Sequence, residues 1–352
     1  MISSELWILL KKLGRPLAFS HPNPASIRLK KGREKSLLRR HPWVFSGAVE
    51  RIDGHPQDGE TVRLLSQQGE FLAWGAYSPH SNIRARVWSW QPDEIIDEKF
   101  LYSRLQAAIA ARQVFFSTSQ TNALRLVHAE SDGLPGLVVD RYGDWLSVQV
   151  LSSGPERWLA QIVDALQALT GLRNVYERSD VDVRRLEGLP ERTGVLSGAA
   201  PPERLRIHEN SMEMWVDLLA GHKTGYYLDQ RRNRLRIRSL AAGRRVLDCF
   251  CYSGGFSLNA LVGGAAALSL LDASAEALEL ARVNLDSAEK GGVFPDSSDS
   301  VGEIPGAVEF IQGDVFQQLR QMRDRARSFD LIILDPPKFA PTVSQVERAA
   351  RG

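Results

Sequence analysis

Residues 245–258 read RVLDCFCYSGGFSL, and this stretch decides the fold. Val246 and Leu247 open an apolar run, Asp248 adds one acid, a short turn reaches Gly254 and Gly255, and an apolar, helix-compatible run follows. That order is strand, turn, helix. A buried parallel strand feeding a glycine turn and a helix N-terminus is how an α/β sheet holds a nucleotide-like ligand, and glycine lets backbone approach where a side chain would clash. Outward from it, residues 267–271 form a second apolar run ending in Asp272, at the spacing where an acid meets ribose hydroxyls in dinucleotide folds. Residues 275–285 read as a helix. Residues 308–311 lead to Gly313 and Asp314, and residues 329–334 end in Asp335-Pro336-Pro337-Lys338-Phe339. Four strands, each with a polar residue at its carboxyl end, predict a doubly wound sheet with its ligand across the strand tips.

The turn argues against a dehydrogenase. The dinucleotide fingerprint needs glycine, any residue, glycine, whereas Phe250 and Tyr252 stand in this turn. An acid in the first turn, a ribose acid, a later Gly-Asp and then Asp-Pro-Pro together resemble the class I S-adenosylmethionine-dependent methyltransferases. More narrowly, DCFCYSGGFSL with DPPKF is similar to the large-subunit ribosomal RNA cytosine-5 methyltransferase family, over about residues 26 to 352. The resemblance implies a Rossmann-like α/β sheet, S-adenosylmethionine as cofactor, and transfer to carbon 5 of a cytosine in 23S ribosomal RNA; a homodimer is left open. It also implies that Lys223, Tyr227 and Asp229, within KTGYYLDQR, border the methionine end of the cofactor. Phe250, Ser253, Gly254 and Gly255 join them from the first turn.

Each acid has a role and a simpler alternative. Asp248 either receives the cofactor's ammonium or caps the turn. Asp272 ends an apolar strand and needs a polar partner to be tolerated there, which a ribose supplies. Asp314 opens a helix and is a favoured N-cap, while its neighbouring backbone meets adenine. Two prolines hold Asp335 where a flipped base would arrive, so that its carboxylate accepts from cytosine's amino group; Lys338 would contact phosphate and Phe339 the base. Methylating carbon 5 further demands a thiolate adding at carbon 6. Cys249 and Cys251 are the only cysteines, and in a strand and turn they read as small hydrophobes. In the resembled family the nucleophile follows a fifth strand beyond Asp-Pro-Pro, and this chain stops thirteen residues after Phe339. The expectation is therefore a sheet incomplete at its C-terminus, from a truncated or frameshifted gene, with weakened cofactor binding and little turnover. A non-catalytic RNA-binding remnant, or a methyltransferase acting on an amino nitrogen and needing no thiolate, are the alternatives.

The 352 residues suit two or three domains, and Lys plus Arg at 44 against Asp plus Glu at 42 leaves no overall field to attract nucleic acid. Two cysteines one residue apart cannot form an unstrained bridge, which fits a reducing cytoplasm. No apolar run approaches the roughly 18–20 residues of a membrane helix, and the N-terminus lacks a secretory pattern. The expected division is a disordered leader at 1–24, a PUA-like RNA-binding β-barrel at 25–92, an α+β middle domain at 98–205 and the methyltransferase domain at 206–352. In the barrel, Arg28, Lys30, Lys31, Arg33, Lys35, Arg39 and Arg40 lead into His41-Pro42-Trp43-Val44-Phe45. A solvated face explains the charges; cations beside aromatics also suit RNA, whose phosphates need charge and whose unstacked bases need a flat partner. By resemblance the middle domain helps form the substrate cleft. Arg232, Arg234, Arg236 and Arg238 follow Asp229, the expected first residue of an arginine-rich helix, and a surface helix alone would explain them. Residues 286–306, rich in Gly, Ser, Asp and Pro, read as a long mobile loop.

Overall fold

The computed structural model describes residues 24–113, 120–290, 308–337 and 345–350. The chain divides into two compact units, one ending at Glu94 and the other beginning at Ile95. No helix among the described residues is long and apolar enough to cross a membrane.

The first unit contains strands β1 (Ser26–Leu29), β2 (Trp43–Phe45), β3 (Val49–Asp53), β4 (Thr61–Leu65), β5 (Phe71–Tyr77) and β6 (Ile83–Ser89), with a one-turn helix α1 (Lys35–Leu38). They form one mixed sheet in the order β2-β6-β5-β4-β1-β3, antiparallel except where β1 meets β4. Alternation decides which face is buried: Ile27 and Leu29, Val62 and Leu64, Ala85 and Val87 all enter the same core with Val44 and Ala73. The strand at Val49–Asp53, whose residues are charged at alternate and adjacent positions, carries no apolar period and was not expected. On β2 the rings of His41, Trp43 and Phe45 stand edge to face, with centroids 5.6 and 6.3 Å apart, and the Arg40 guanidinium lies 5.3 Å above the Trp90 ring.

In the second unit, helix α2 (Glu98–Gln113) leads to β7 (Ala123–His128), β8 (Leu137–Tyr142), β9 (Trp145–Val150), helices α3 (Ser153–Arg157) and α4 (Leu159–Thr170), β10 (Asn174–Ser179), α5 (Val183–Leu186) and β11 (Arg192–Ser197). These strands form a five-stranded sheet in the order β11-β10-β9-β8-β7. Trp158 leaves helical geometry between α3 and α4. A hairpin, β12 (Leu205–Glu209) and β13 (Met212–Val216), follows.

Then come α6 (Arg231–Leu240), β14 (Arg245–Cys249), α7 (Gly255–Val262), β15 (Ala267–Asp272), α8 (Ala275–Lys290), β16 (Val308–Gln312), α9 (Val315–Asp324) and β17 (Leu331–Leu334). Residues 228–230 form a single 3-10 turn, so α6 begins at Arg231 rather than at Asp229. Helix α8 runs to Lys290, which makes residues 286–290 helical instead of loop; residues 291–307 lie outside the described ones, as do residues 1–23, Lys338 and Phe339. The last four strands form an all-parallel sheet in the order β16-β15-β14-β17. From β14 the chain goes first to one side and later to the other, and the tips of β14 and β17 flank that switch point, where open α/β sheets bind ligands. Register completes the placement. Cys249 pairs with Leu271 and with Leu334, and Asp272 with Gln312. One residue further along, Phe250, Asp272, Gln312 and Asp335 share a row across the carboxyl ends.

Candidate active site

The turn after β14 is tightly wound. Phe250, Tyr252 and Gly254 all have positive φ, at 60°, 50° and 75°. Two non-glycine residues in that region need outside support. Asp272 supplies part of it: its Oδ2 accepts from the Tyr252 N–H at 2.8 Å and its Oδ1 from the Ser274 N–H at 3.0 Å. Each oxygen keeps further accepting capacity toward the cleft. The two glycines have a packing reason beside the expected one. A Cβ on Gly254 would lie 2.9 Å from the Ala281 Cβ on α8, and one on Gly255 would run into the Tyr226 hydroxyl. They let α7 pack closely against α8 and the Tyr226 side chain. Ser253 is buried; its carbonyl accepts from Asn284 at 2.9 Å and its hydroxyl has no partner.

Asp248 is 1% exposed. Its Oδ2 accepts from the Ser257 hydroxyl at 2.7 Å, while its buried Oδ1 has no hydrogen-bond partner among the described residues. Burial pushes this carboxyl up to about 7 against the pull of the Ser257 hydrogen bonds, and the charges of Asp335 and Asp272 push the same way. An acid so placed is costly unless a cation completes it.

Opposite stands the loop before α6. His222 stacks on Tyr252 with centroids 4.6 Å apart and planes 9° from parallel, and Tyr227 meets both rings edge-on. Lys223, at φ 59°, holds its ammonium 6.0 Å from the Tyr227 ring centre. Burial raises the Tyr227 phenol, and the charges of Asp335, Asp229 and Asp272 raise it further. Half-buried Asp335 is raised by burial and then by Asp229, with Arg234 opposing. Gln230 donates to Asp335 Oδ1 at 3.2 Å and accepts from Asn233 at 2.6 Å. Asp229, Asp248, Asp272 and Asp335 therefore share one field with Tyr227. Asp314 sits at the next tip, exposed, its Oδ1 accepting from the Gln317 N–H at 2.9 Å as the N-cap of α9. Beside it Phe316 meets Phe250 edge to face at 6.3 Å.

Carboxylates converging among aromatic rings favour a cationic ligand that also carries hydroxyls and a flat ring. His222, Tyr252, Gln230 and Phe316 belong to this site and were not singled out in the sequence. A signal existed for all four: each lies within two residues of a position that was. Cys249 and Cys251 are buried, and burial raises both thiols, that of Cys249 to about 12. Burial thus disfavours the thiolate, the nucleophilic form, at both positions.

The five-stranded sheet holds the loop in place. Buried Asp140 pairs with Arg125 at 2.8 and 2.9 Å and accepts from the Thr224 hydroxyl. Tyr142 hydrogen bonds to Thr224 and accepts from the Tyr226 N–H at 3.1 Å, and Ser147 donates to the Thr224 carbonyl at 2.9 Å. Arg178 donates to the Leu218 and Gly221 carbonyls at 2.6 and 2.8 Å. Behind the loop, Arg234 is buried against Glu209, with both contacts at 2.6 Å, and donates to the Tyr227 carbonyl.

Comparison with known proteins gives this architecture a lineage. Residues 27–90 match the PUA-like domain family and residues 189–348 the S-adenosylmethionine-dependent methyltransferase family. Among solved structures, SMU.776, assigned as a methyltransferase and crystallised with SAH, superposes with a TM-score of 0.72 at 25% identity, covering 90% of this chain and 77% of that one. A protein from Streptococcus mutans assigned as an S-adenosylmethionine-dependent methyltransferase has the same fold, with a TM-score of 0.71 at 23% identity, over 93% and 82% of the two chains. Ribosomal RNA large subunit methyltransferase I of Photobacterium profundum is 48% identical over 93% of this chain and 79% of its own, and that of Tolumonas auensis 47% identical over the same shares. Identity of that order over 93% of this chain means that the chain belongs to the ribosomal RNA large subunit methyltransferase I family.

Proposed function

We propose that this protein transfers a methyl group from S-adenosylmethionine to carbon 5 of a cytosine in 23S ribosomal RNA, in the cytoplasm. The observation that carries the reading is the acidic row across the tips of the parallel sheet, with the unpartnered Asp248 oxygen behind it. S-adenosylmethionine, when bound, supplies an electrophilic methyl on a sulfonium. Asp248 with the Lys223–Asp229 loop takes the ammonium end, Asp272 the ribose hydroxyls, and Phe250 with the Asp314–Phe316 segment the adenine. The rings of Tyr227 and Tyr252, beside several carboxylates, suit a sulfonium. Residues 25–92 and 98–205 act as RNA-binding and cleft-forming domains for the catalytic domain at 206–352.

Asp335 accepts from the cytosine amino group and fixes the base edge. Gln230 holds the Asp335 carboxylate, and the role given to Lys338 is that of a phosphate contact. Carbon 5 chemistry also requires a thiolate, and Cys249 and Cys251 are both buried, which supports reading them as the wall of the site. That observation favours one second reading, transfer to an exocyclic amino nitrogen, for which Asp335 alone orients the acceptor. Incubating the protein with labelled cofactor and unmodified large-subunit RNA, then locating the methyl by nucleoside mass spectrometry, tests both. 5-Methylcytidine supports the first reading, an N-methylated base replaces it with the second, and unlabelled RNA from a cofactor-binding protein rejects both.

A further inference from the structure

The arginine-rich helix α6 is not one uniform face. Arg234 is buried on Glu209, and Arg238 donates to the Asn259 carbonyl oxygen at 3.3 and 3.2 Å. Arg231 reaches the Ala123 carbonyl. These three are committed to the fold. Arg232 and Arg236 are exposed, and among the described residues neither guanidinium has a hydrogen bond or ion pair. Four residues apart on one helix, they point the same way from the same face. Exposed Leu235 lies beside them.

This arrangement works against the isolated helix. Like charges four apart repel, and cations in the first turn meet the positive end of the helix dipole. The charge of Arg232 also acts unfavourably on Arg231. No acid occurs anywhere in Arg231–Leu240 to offset these costs. A polyanion would offset all of them. The helix begins one residue after Gln230, whose side chain holds Asp335. Its cationic face thus starts at the base-binding end of the site, while the cleft itself is lined with carboxylates that would repel phosphate. We infer that the exposed face of this helix is the track for the RNA backbone next to the target nucleotide, with Arg232 and Arg236 each meeting one phosphate. The division of labour is electrostatic: the acidic cleft admits the base and the cofactor's positive charge, and the helix holds the strand's negative charge outside it. The inference rests on the RNA methyltransferase reading above and specifies where that RNA runs.

The test uses the full-length protein and a double variant, Arg232→Glu with Arg236→Glu, beside Arg232→Lys with Arg236→Lys. Binding to an unmodified large-subunit RNA fragment is measured over a series of salt concentrations, and S-adenosylmethionine binding is measured by calorimetry as the control for folding. The expected result is RNA affinity about tenfold or more lower for the glutamate variant, with the slope of log affinity against log salt reduced by about 1.4 to 1.8, the contribution of two phosphate contacts. Cofactor affinity stays unchanged, and the lysine variant keeps the wild-type slope. Unchanged RNA affinity and slope in the glutamate variant, while the wild type binds and methylates RNA, would overturn the track alone. A wild type that binds the cofactor but no RNA would overturn the track and the function together. Equal loss of binding to poly-glutamate would assign the face to acidic protein instead and overturn it as an RNA track.

Discussion

Asp248 carries a pH dependence whose sign follows from its burial. In the fold it keeps its proton up to about 7, whereas the unfolded chain releases it near 3.8. Between those values the folded state binds the extra proton, so this residue's contribution to stability declines as pH rises from about 4 to about 7 and is level above. A cation beside the carboxylate reverses the preference. Cofactor affinity should rise with pH up to about 7, by at most about tenfold per unit, and Asp248→Asn should flatten both profiles, as read by urea unfolding and calorimetry at pH 5, 6, 7 and 8. Asp272 permits a blunter test. Asp272→Ala removes the ribose acceptor, and hydrogen bonds to a charged group contribute about 1.5–3 kcal/mol each, so cofactor binding should weaken by roughly 10- to 100-fold. Binding by calorimetry within threefold of wild type would remove Asp272 from the cofactor site.

At the scale of elements, the parallel sheet was legible because each apolar run led to an acid at or beside its end, Asp248, Asp272, Asp314 and Asp335, even though Asp314 also serves as the N-cap of α9. The role of the glycines was not legible. The same two letters serve ligand approach or helix packing, and only the neighbours of the absent Cβ distinguish them. Gly254→Ala should therefore destabilise the fold, since a left-handed residue costs about 1–2 kcal/mol and overpacking about 1–3 kcal/mol more. A urea midpoint lowered at unchanged m-value would show this; a midpoint equal to wild type would return the glycine to the ligand. The arginine helix was half legible. A helix was expected there, but Arg234 follows the same alternation as Arg232 and Arg236 and lies in the core, because Glu209 on β12 pairs with it. Partners distant in sequence are what a local pattern omits.

For the whole molecule, the least legible feature is the grip of the five-stranded sheet on the 217–227 loop. Asp140 and Thr224 are separated by 84 residues, and nothing local to either predicts the contact. Arg178→Leu should leave the buried carbonyls of Leu218 and Gly221 unpaired, at about 1–3 kcal/mol each. Hydrogen exchange should then accelerate across the loop, and cofactor binding should weaken although the substituted residue lies on the other sheet. Protection and affinity both at wild-type levels would mean that the loop holds its own shape. The methyltransferase family match starts at residue 189, past Asp140, Tyr142, Ser147 and Arg178. A gene fragment cut at that point would encode every strand of the catalytic sheet and none of the side chains that hold its loop. Recombination that grafts this chemistry onto a new scaffold must carry both sheets together, so the heritable module is larger than the part that performs the reaction.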